Sequence, residues 1–189
     1  METRERLIAS MQELLWENGY AGTSPRAVQK LAGTRQSSMY HFFDGKSELA
    51  VAAEYRMSEE LKAQITERLA SGNSARDKVA AFLSIDENVL RGCRLGRLVQ
   101  DAEVASNDAL REPIQEMFEW IQASIGEVLH RAHAAGELPA DLDVEALSTA
   151  VLALRQGAYV LARGAQSPEP FRRAVIGILQ LIPSTQATG

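Results

Sequence analysis

A helical segment of barely two turns near the start of the chain carries five hydrogen-bonding side chains. Residues 37 to 49 are SSMYHFFDGKSEL, and a glutamine precedes them. Amide, hydroxyl, phenol and imidazole groups can all contact base edges or phosphate oxygens of duplex DNA. Between Gly19 and Lys46 there are four basic residues and one acidic residue, a net charge of +3, whereas the whole chain carries −5. We therefore expect a basic nucleic-acid surface on an otherwise acidic protein.

A second set of residues has the spacing of a metal site. Glu127, His130 and His133 follow one another at intervals of three residues, which can bring ligands onto one side of a helix. The apolar stripe of the same helix, however, lies almost opposite His130 at about 100° per residue. We therefore interpret the histidines as facing solvent and predict no metal site.

The only cysteine, Cys93, is the remaining group with reactive potential. It follows Gly92 and precedes a helix expected to begin near Arg94, with Arg91 and Arg97 close by in sequence. A thiol near a helix N-terminus and cations can have a lowered pKa and react with oxidants or electrophiles. A lone cysteine is more often a small packing residue, and we favour that interpretation.

The sequence offers no arrangement typical of an enzyme. We find no nucleophile elbow, no phosphate-cradling glycine loop and no set of metal ligands, so we predict no catalysis and no cofactor. A single cysteine fits a reducing compartment, the N-terminus is too polar for a signal peptide, and no apolar run could span a membrane. These features predict a cytoplasmic protein without a membrane partner.

Almost every segment has the helical period, so we predict an all-α fold of about nine helices. Ser24 and Pro25 suit the start of a short second helix, and Gly33 suits its end. A third helix covers about 36–42, and a fourth about 46–70. The remaining helices are expected at about 75–91, 94–105, 108–135, 143–164 and 168–182.

The first three helices form a helix-turn-helix pattern, in which the later helix enters the major groove of DNA. We expect Met39, Phe42 and Phe43 to anchor this helix against the first two. The polar side chains are then left exposed for DNA. We predict a DNA-binding domain over residues 1–46 and a ligand-binding and dimerisation domain over 47–189, connected by helix 4.

The segment GTSPRAVQKLAGTRQSSMYHFFDGKSEL resembles the signature of the TetR family of bacterial transcriptional regulators. Its marks are the Ala-Gly turn, the Met39, Tyr40 and Phe43 core, and Lys46 opening helix 4. Two later fragments, GCRLGRL and RQGAYVLAR, resemble a subgroup that includes small-molecule-responsive members. The chain departs from the family pattern at Thr34, Arg35 and Gln29, and Arg35 could add a phosphate or guanine contact.

The resemblance implies two sets of DNA-binding residues. The groups that would position phosphates are Ser24, Arg26, Tyr40 and Lys46. The groups that would lie nearest the bases are Arg35, Gln36, Ser37, Ser38 and His41. We therefore expect a double-stranded, palindromic operator as a partner.

The last two helices are apolar nearly all round. From Ala150 to Ala162 only Arg155 and Gln156 are strongly polar. A helix of this kind must be covered on every side, and a second copy of the chain could cover it in an isologous four-helix bundle. We predict a homodimer and place Leu154 and Ile178 in its interface.

The predicted ligand-binding and dimerisation domain also contains enough apolar residues to line a ligand cavity. The candidate ligand-binding residues are Met57, Phe82, Phe118, Trp120, Arg155, Gln156 and Tyr159. We predict a repressor that leaves its operator when a small, largely apolar ligand, aromatic or weakly acidic, binds this domain. Two alternatives remain at this stage: a regulator of the same fold that senses oxidants or electrophiles through Cys93, and a helical interaction adaptor. Salt-dependent binding to a palindromic duplex would separate the regulators from the adaptor.

Overall fold

The computed structural model describes residues 2–84 and 88–183, with the side chain of Gln36 outside the description. These residues form nine α-helices and one short 3-10 helix, which confirms the predicted all-α fold. The 3-10 helix covers Leu98–Gln100. The α-helices are α1 Thr3–Asn18, α2 Pro25–Ala32, α3 Gln36–Phe42, α4 Lys46–Ala70, α5 Ala75–Leu83, α6 Ala102–Ala105, α7 Asp108–Ala134, α8 Val144–Ala165 and α9 Glu169–Leu181.

The helix ends follow local signals in the sequence. The Ser24 hydroxyl accepts a hydrogen bond from the Ala27 N–H at 3.2 Å, and Pro25 occupies the first turn of α2. Gly33 ends that helix in the left-handed conformation, with φ of 62°. Ser74 and Asp77 form a reciprocal capping box at the start of α5.

The stretch after α5 differs from the prediction. Helix α5 ends at Leu83 rather than near residue 91, and the helix expected over 94–105 is replaced by turns, the 3-10 helix and the single turn of α6. Gly92 adopts a φ of 79°, and Asp101 is extended and caps α6 through the Glu103 N–H. The extended, capping Asp101 lies within the predicted 94–105 helix and interrupts it, so the periodic leucines pack in turns instead. Leu95 and Leu98 are nevertheless fully buried.

The chain divides into two compact units. The first comprises residues 1–60 and 93–117, and the second comprises residues 61–92 and 118–189. In the first unit α1 packs against α2 and α3, around Leu7, Met11 and Leu15. In the second unit α8 packs along α9, which also contacts α5.

Candidate DNA-binding surface and buried polar groups

The helix α3 is held in place by two apolar side chains. Met39 is fully buried and Phe43 is 4% exposed, so both anchor the helix as predicted. The prediction for Phe42 is wrong, because its side chain is 38% exposed and meets the His41 ring edge-on at 4.8 Å between centroids. Two anchors, Met39 within the helix and Phe43 at its C-cap, are sufficient because positions four residues apart lie on one side of a helix.

The opposite face of α3 presents polar groups to solvent. Ser37, Tyr40 and His41 are exposed, and Ser38 is half-buried. Arg35 is exposed at the N-cap, where its side chain forms no capping hydrogen bond. The Gln36 side chain, a further predicted base contact, lies outside the described residues. The structure therefore brings four of the five predicted base contacts to one short helix and its N-cap.

Three of the four predicted phosphate contacts lie at helix N-termini, and the fourth, Tyr40, lies within α3. Ser24 and Arg26 are exposed at the start of α2, and Lys46 is the first residue of α4. The Lys46 ammonium lies 3.8 Å from the centroid of the Tyr20 ring, which holds the lysine by a cation–π contact. The first N–H groups of a helix favour anions, so each position can bind a phosphate together with its side chain.

Side chains from the segment that follows Cys93 contact the predicted DNA-binding domain, and local sequence patterns do not reveal these contacts. Asp101 accepts a hydrogen bond from the Ala21 N–H at 2.8 Å, in the turn between α1 and α2. Arg97 donates to the Trp16 carbonyl near the end of α1, and the Arg94 guanidinium lies 4.4 Å from the Trp16 ring centroid. These contacts join residues about 80 positions apart, so no local pattern could have predicted them.

We expect Asp101→Ala to lower the free energy of unfolding by about 1–2 kcal/mol, because it removes both a helix cap and a long-range hydrogen bond. Urea unfolding of the two proteins at equal concentration measures the difference. Glu103→Ala, which changes an exposed acid two residues away, is the matched control and should unfold like the parent. Equal losses in both variants would argue against a specific role for the Asp101 contacts.

The second unit brings three of the predicted ligand-binding residues together. Phe82 is fully buried, Arg155 is 1% exposed and Tyr159 is 4% exposed. The central carbon of the Arg155 guanidinium lies 4.8 Å from the Phe82 ring centroid and 5.5 Å from that of Tyr159. The buried guanidinium therefore forms cation–π contacts with two aromatic rings.

The other predicted ligand-binding residues are placed differently. Phe118, Trp120 and Gln156 are half-buried, and the Lys62 ammonium lies 6.0 Å from the Trp120 ring centroid. Met57 is buried but belongs to the first unit, whereas the remaining six belong to the second. The structure thus places an aromatic cluster around Arg155 within the second unit.

The sequence analysis missed a buried acid. Glu54 on α4 is 0% exposed, and neither of its carboxyl oxygens has a hydrogen-bond partner among the described residues. Burial raises the pKa of this carboxyl to about 8, because the charged form loses its hydration. A signal was present: Glu54 is one heptad before Leu61 and three residues before Met57, so the helical period places it on the same side of α4 as these apolar residues.

Cys93 is a buried residue, in agreement with the packing interpretation. Its side chain is 8% exposed and its sulfur accepts the Gly96 N–H at 3.4 Å. The helix expected to begin at Arg94 does not form, and Arg94 and Arg97 contact Trp16 instead. The thiol therefore lacks the expected helix N-terminus, and two of the three arginines near it in sequence contact Trp16.

The histidine pair of α7 has ordinary surface partners. The Nε2 atom of exposed His130 lies 2.8 Å from a carboxylate oxygen of Glu145, which confirms that this residue faces solvent. His133 Nε2 lies 3.3 Å from the Ala140 carbonyl oxygen. Glu127 pairs with Arg131 at 3.1 Å. Residues 2–84 and 88–183 contain no group of three side chains that could hold a metal ion.

Helices α8 and α9 together expose an apolar surface, which we call the α8–α9 face. It comprises Val160, Leu161, Ile176 and Leu181, which are 55%, 59%, 57% and 77% exposed. A Cβ atom built on Gly157, Gly164 or Gly177 would meet no atom within 4 Å, so the same helices also offer open backbone. Ile178, which we expected in a dimer interface, is 7% exposed and packs inside its own chain.

Two protein-family models match most of the chain. The model for bacterial regulatory proteins of the tetR family matches residues 7–53. The model for the tetracyclin repressor-like C-terminal domain matches residues 73–178. None of the helices in the described part of the chain is both long and apolar enough to cross a membrane.

The chain is also similar to individual regulators. It is 28% identical over 178 residues to the HTH-type transcriptional regulator LmrA of Bacillus subtilis, covering 89% of this chain and 90% of LmrA. The crystal structure of the reduced form of Escherichia coli NemR matches with a TM-score of 0.87 and 25% identity over the whole of both chains. Bacillus subtilis FadR in complex with stearoyl-CoA shares the fold, with a TM-score of 0.77, 20% identity and coverage of 96% and 98%.

Proposed function

Because the chain belongs to the TetR family of bacterial transcriptional regulators, we propose that it is a cytoplasmic homodimeric repressor, released from a near-palindromic operator by a small effector. The observation that carries this proposal is the polar, exposed face of α3, held by buried Met39 and Phe43. A short helix with this division between core and solvent suits insertion into the major groove. We assign DNA binding to residues 1–46 and effector binding and dimerisation to residues 47–189.

In this proposal the polar side chains of the DNA-binding domain have two roles. Ser24, Arg26, Tyr40 and Lys46 position the sugar–phosphate backbone and contribute affinity without sequence preference. Base contacts come from Arg35, Gln36, Ser37, Ser38 and His41, near the N-terminus and along the exposed face of α3. Phe42, partly exposed beside His41, can add an apolar contact such as one to a thymine methyl group.

The α8–α9 face supports the homodimer. Four large apolar side chains, each more than half exposed, are costly in water and are covered when two copies pair. Unsubstituted glycine backbone on the same helices permits a close helix crossing. A dimer also places two heads on two half-sites, as a near-palindrome requires.

The core around Phe82, Arg155 and Tyr159 supports effector binding, with Phe118, Trp120, Gln156 and Met57 as further candidates. FadR shows that this fold can hold an amphipathic ligand. Helix α4 begins at Lys46 and contributes residues to both compact units, so a change in its tilt can alter the spacing of the two heads. By linkage, an effector that weakens DNA binding must itself bind more weakly when DNA is present.

Footprinting of the purified dimer on the DNA that flanks its own gene is the most direct test. We expect protection of a near-palindrome whose half-site centres lie about one helical turn apart, or a multiple of that distance. Affinity should fall steeply with salt, because phosphate contacts release counterions. Absence of any salt-dependent, sequence-specific protection there and in a random-sequence selection would reject the proposal.

Exchange of Lys46 for alanine should weaken binding to specific and random duplexes by a similar factor and flatten the dependence of affinity on salt. Exchange of Ser38 for alanine should instead change the preference among operator variants by about 1–3 kcal/mol, because a base contact is lost. Fluorescence anisotropy at several salt concentrations measures both effects. The two assigned roles would be wrong if both variants lost affinity equally on all sequences.

A further inference from the structure

We infer that the effector is an amphipathic carboxylate, whose carboxylate is bound by Arg155, Tyr159 and Gln156 and whose apolar part occupies an adjacent cavity. This inference rests on the proposed function and names the chemical class of the effector. The inference comes from three side chains on α8 that can all donate hydrogen bonds.

Three hydrogen-bonding side chains lie within about 100° of arc on α8, because residue 159 falls between residues 155 and 156 when the helix is viewed along its axis. The Tyr159 hydroxyl and the Gln156 amide nitrogen are buried and have no hydrogen-bond partner among the described residues. Arg155, beside them, carries five N–H donors. Such a cluster matches a ligand rich in hydrogen-bond acceptors.

The charge of Arg155 favours an anion over a neutral acceptor. Arg155 is 1% exposed and its guanidinium contacts the rings of Phe82 and Tyr159, so it has lost most of its hydration. An anion that reaches it interacts in a medium of lower dielectric than water. The planar guanidinium matches the two oxygens of a carboxylate, whereas a doubly charged phosphate would lose more hydration on entry.

A cavity in the same compact unit fits the apolar part. Its volume is about 460 Å³, and Leu83, Val89, Phe171 and Val175 contribute to its largely apolar wall. The Phe171 ring lies 5.0 Å from the Tyr159 ring, measured between centroids. Phe171 therefore belongs to the cavity wall and also contacts Tyr159, which lies beside Arg155. In our proposal an acyl or aryl chain lies in the cavity and its carboxylate is directed past these two rings toward the guanidinium.

The test uses matched probes on the full-length dimer: decanoate against decanol, and 2-naphthoate against 2-naphthol. Isothermal titration calorimetry measures their binding, and operator binding of the same preparation is measured first. We expect at least one carboxylate to bind at least tenfold more tightly than its alcohol and to reduce operator affinity. A preparation that fails to bind operator would count against the proposed function, whereas an active preparation that binds neither carboxylate would overturn this inference alone.

Tyr159→Phe removes one hydroxyl group and should reduce carboxylate binding three- to tenfold while leaving alcohol binding unchanged. Arg155→Gln should abolish the preference for carboxylates. The control Arg163→Gln alters an exposed arginine of the same helix and should keep that preference. If the parent binds alcohol and carboxylate equally, or if Tyr159→Phe retains the full preference, the inference is wrong. Tyr159→Phe keeps the test decisive if Arg155→Gln does not fold.

Discussion

Two charges on the α8–α9 face should convert the dimer into a folded monomer that no longer binds its operator. In Leu161→Glu/Ile176→Glu each chain carries two carboxylates where 59% and 57% exposed apolar side chains now lie. A dimer of this variant would bury four charges without partners, and each costs several kcal/mol. Because about 1.4 kcal/mol is a factor of ten, the dimer dissociation constant should rise at least 100-fold.

Light scattering after size-exclusion chromatography measures the oligomeric state, circular dichroism checks the fold, and anisotropy measures operator affinity. Ala123→Glu, at an exposed site on α7, controls for an added charge and should remain a dimer. Because both altered side chains are exposed in the single chain, the variant should stay folded. Ile178→Glu would be a poor test, since that residue is buried within its own chain. A folded dimer with parental operator affinity would show that another surface forms the interface.

Raising the pH through the neutral range should destabilise the protein through Glu54. Burial raises the pKa of this carboxyl from 4.5 to about 8 in the folded state, so the folded chain keeps a proton that the unfolded chain has released. Where the unfolded state binds fewer protons, the free energy of unfolding falls as the pH rises, by about 1.4 kcal/mol per pH unit for one group. The loss begins near pH 4.5, ends near pH 8, and amounts to about 3–5 kcal/mol.

The variant Glu54→Gln should not show this pH-dependent loss of stability, because the amide is isosteric with the protonated acid and does not titrate. Between pH 4.5 and pH 8.5, the free energy of unfolding of the variant should increase relative to that of the parent by about 3–5 kcal/mol. Urea unfolding at equal protein concentration measures this difference. Glu67→Gln, an exposed acid on the same helix, should follow the parent at every pH. Parallel stability curves for the parent and Glu54→Gln would show that the buried carboxyl does not titrate in this range.

The sequence by itself determined the features that depend on neighbouring residues. Ser24, Pro25 and Gly33 specify the ends of α2 through capping, ring geometry and a left-handed turn, and the structure has these ends where they were predicted. The helices α7, α8 and α9 begin and end within one residue of the predicted positions, because turn-forming residues such as Asn107, Gly136 and Pro168 flank them. The anchoring of α3 by residues 39 and 43 follows from the same helical period.

The tertiary structure determined the features that depend on contacts between residues far apart in the sequence. In a helix that is apolar nearly all round, periodicity cannot tell which side faces the chain's own core, and so Ile178 points inward while Leu161 and Ile176 point outward. The leucines after Gly92 pack as turns because Arg97 and Asp101 bind to α1 and to the turn that follows it, some 80 residues earlier. Phe42 stays partly exposed since two anchors already fix its short helix. The helical period places Glu54 on the apolar side of α4, but only the packing of the fold shows that this acid is fully buried there. Local backbone preferences act within a few residues, whereas burial is set by whatever the fold brings alongside.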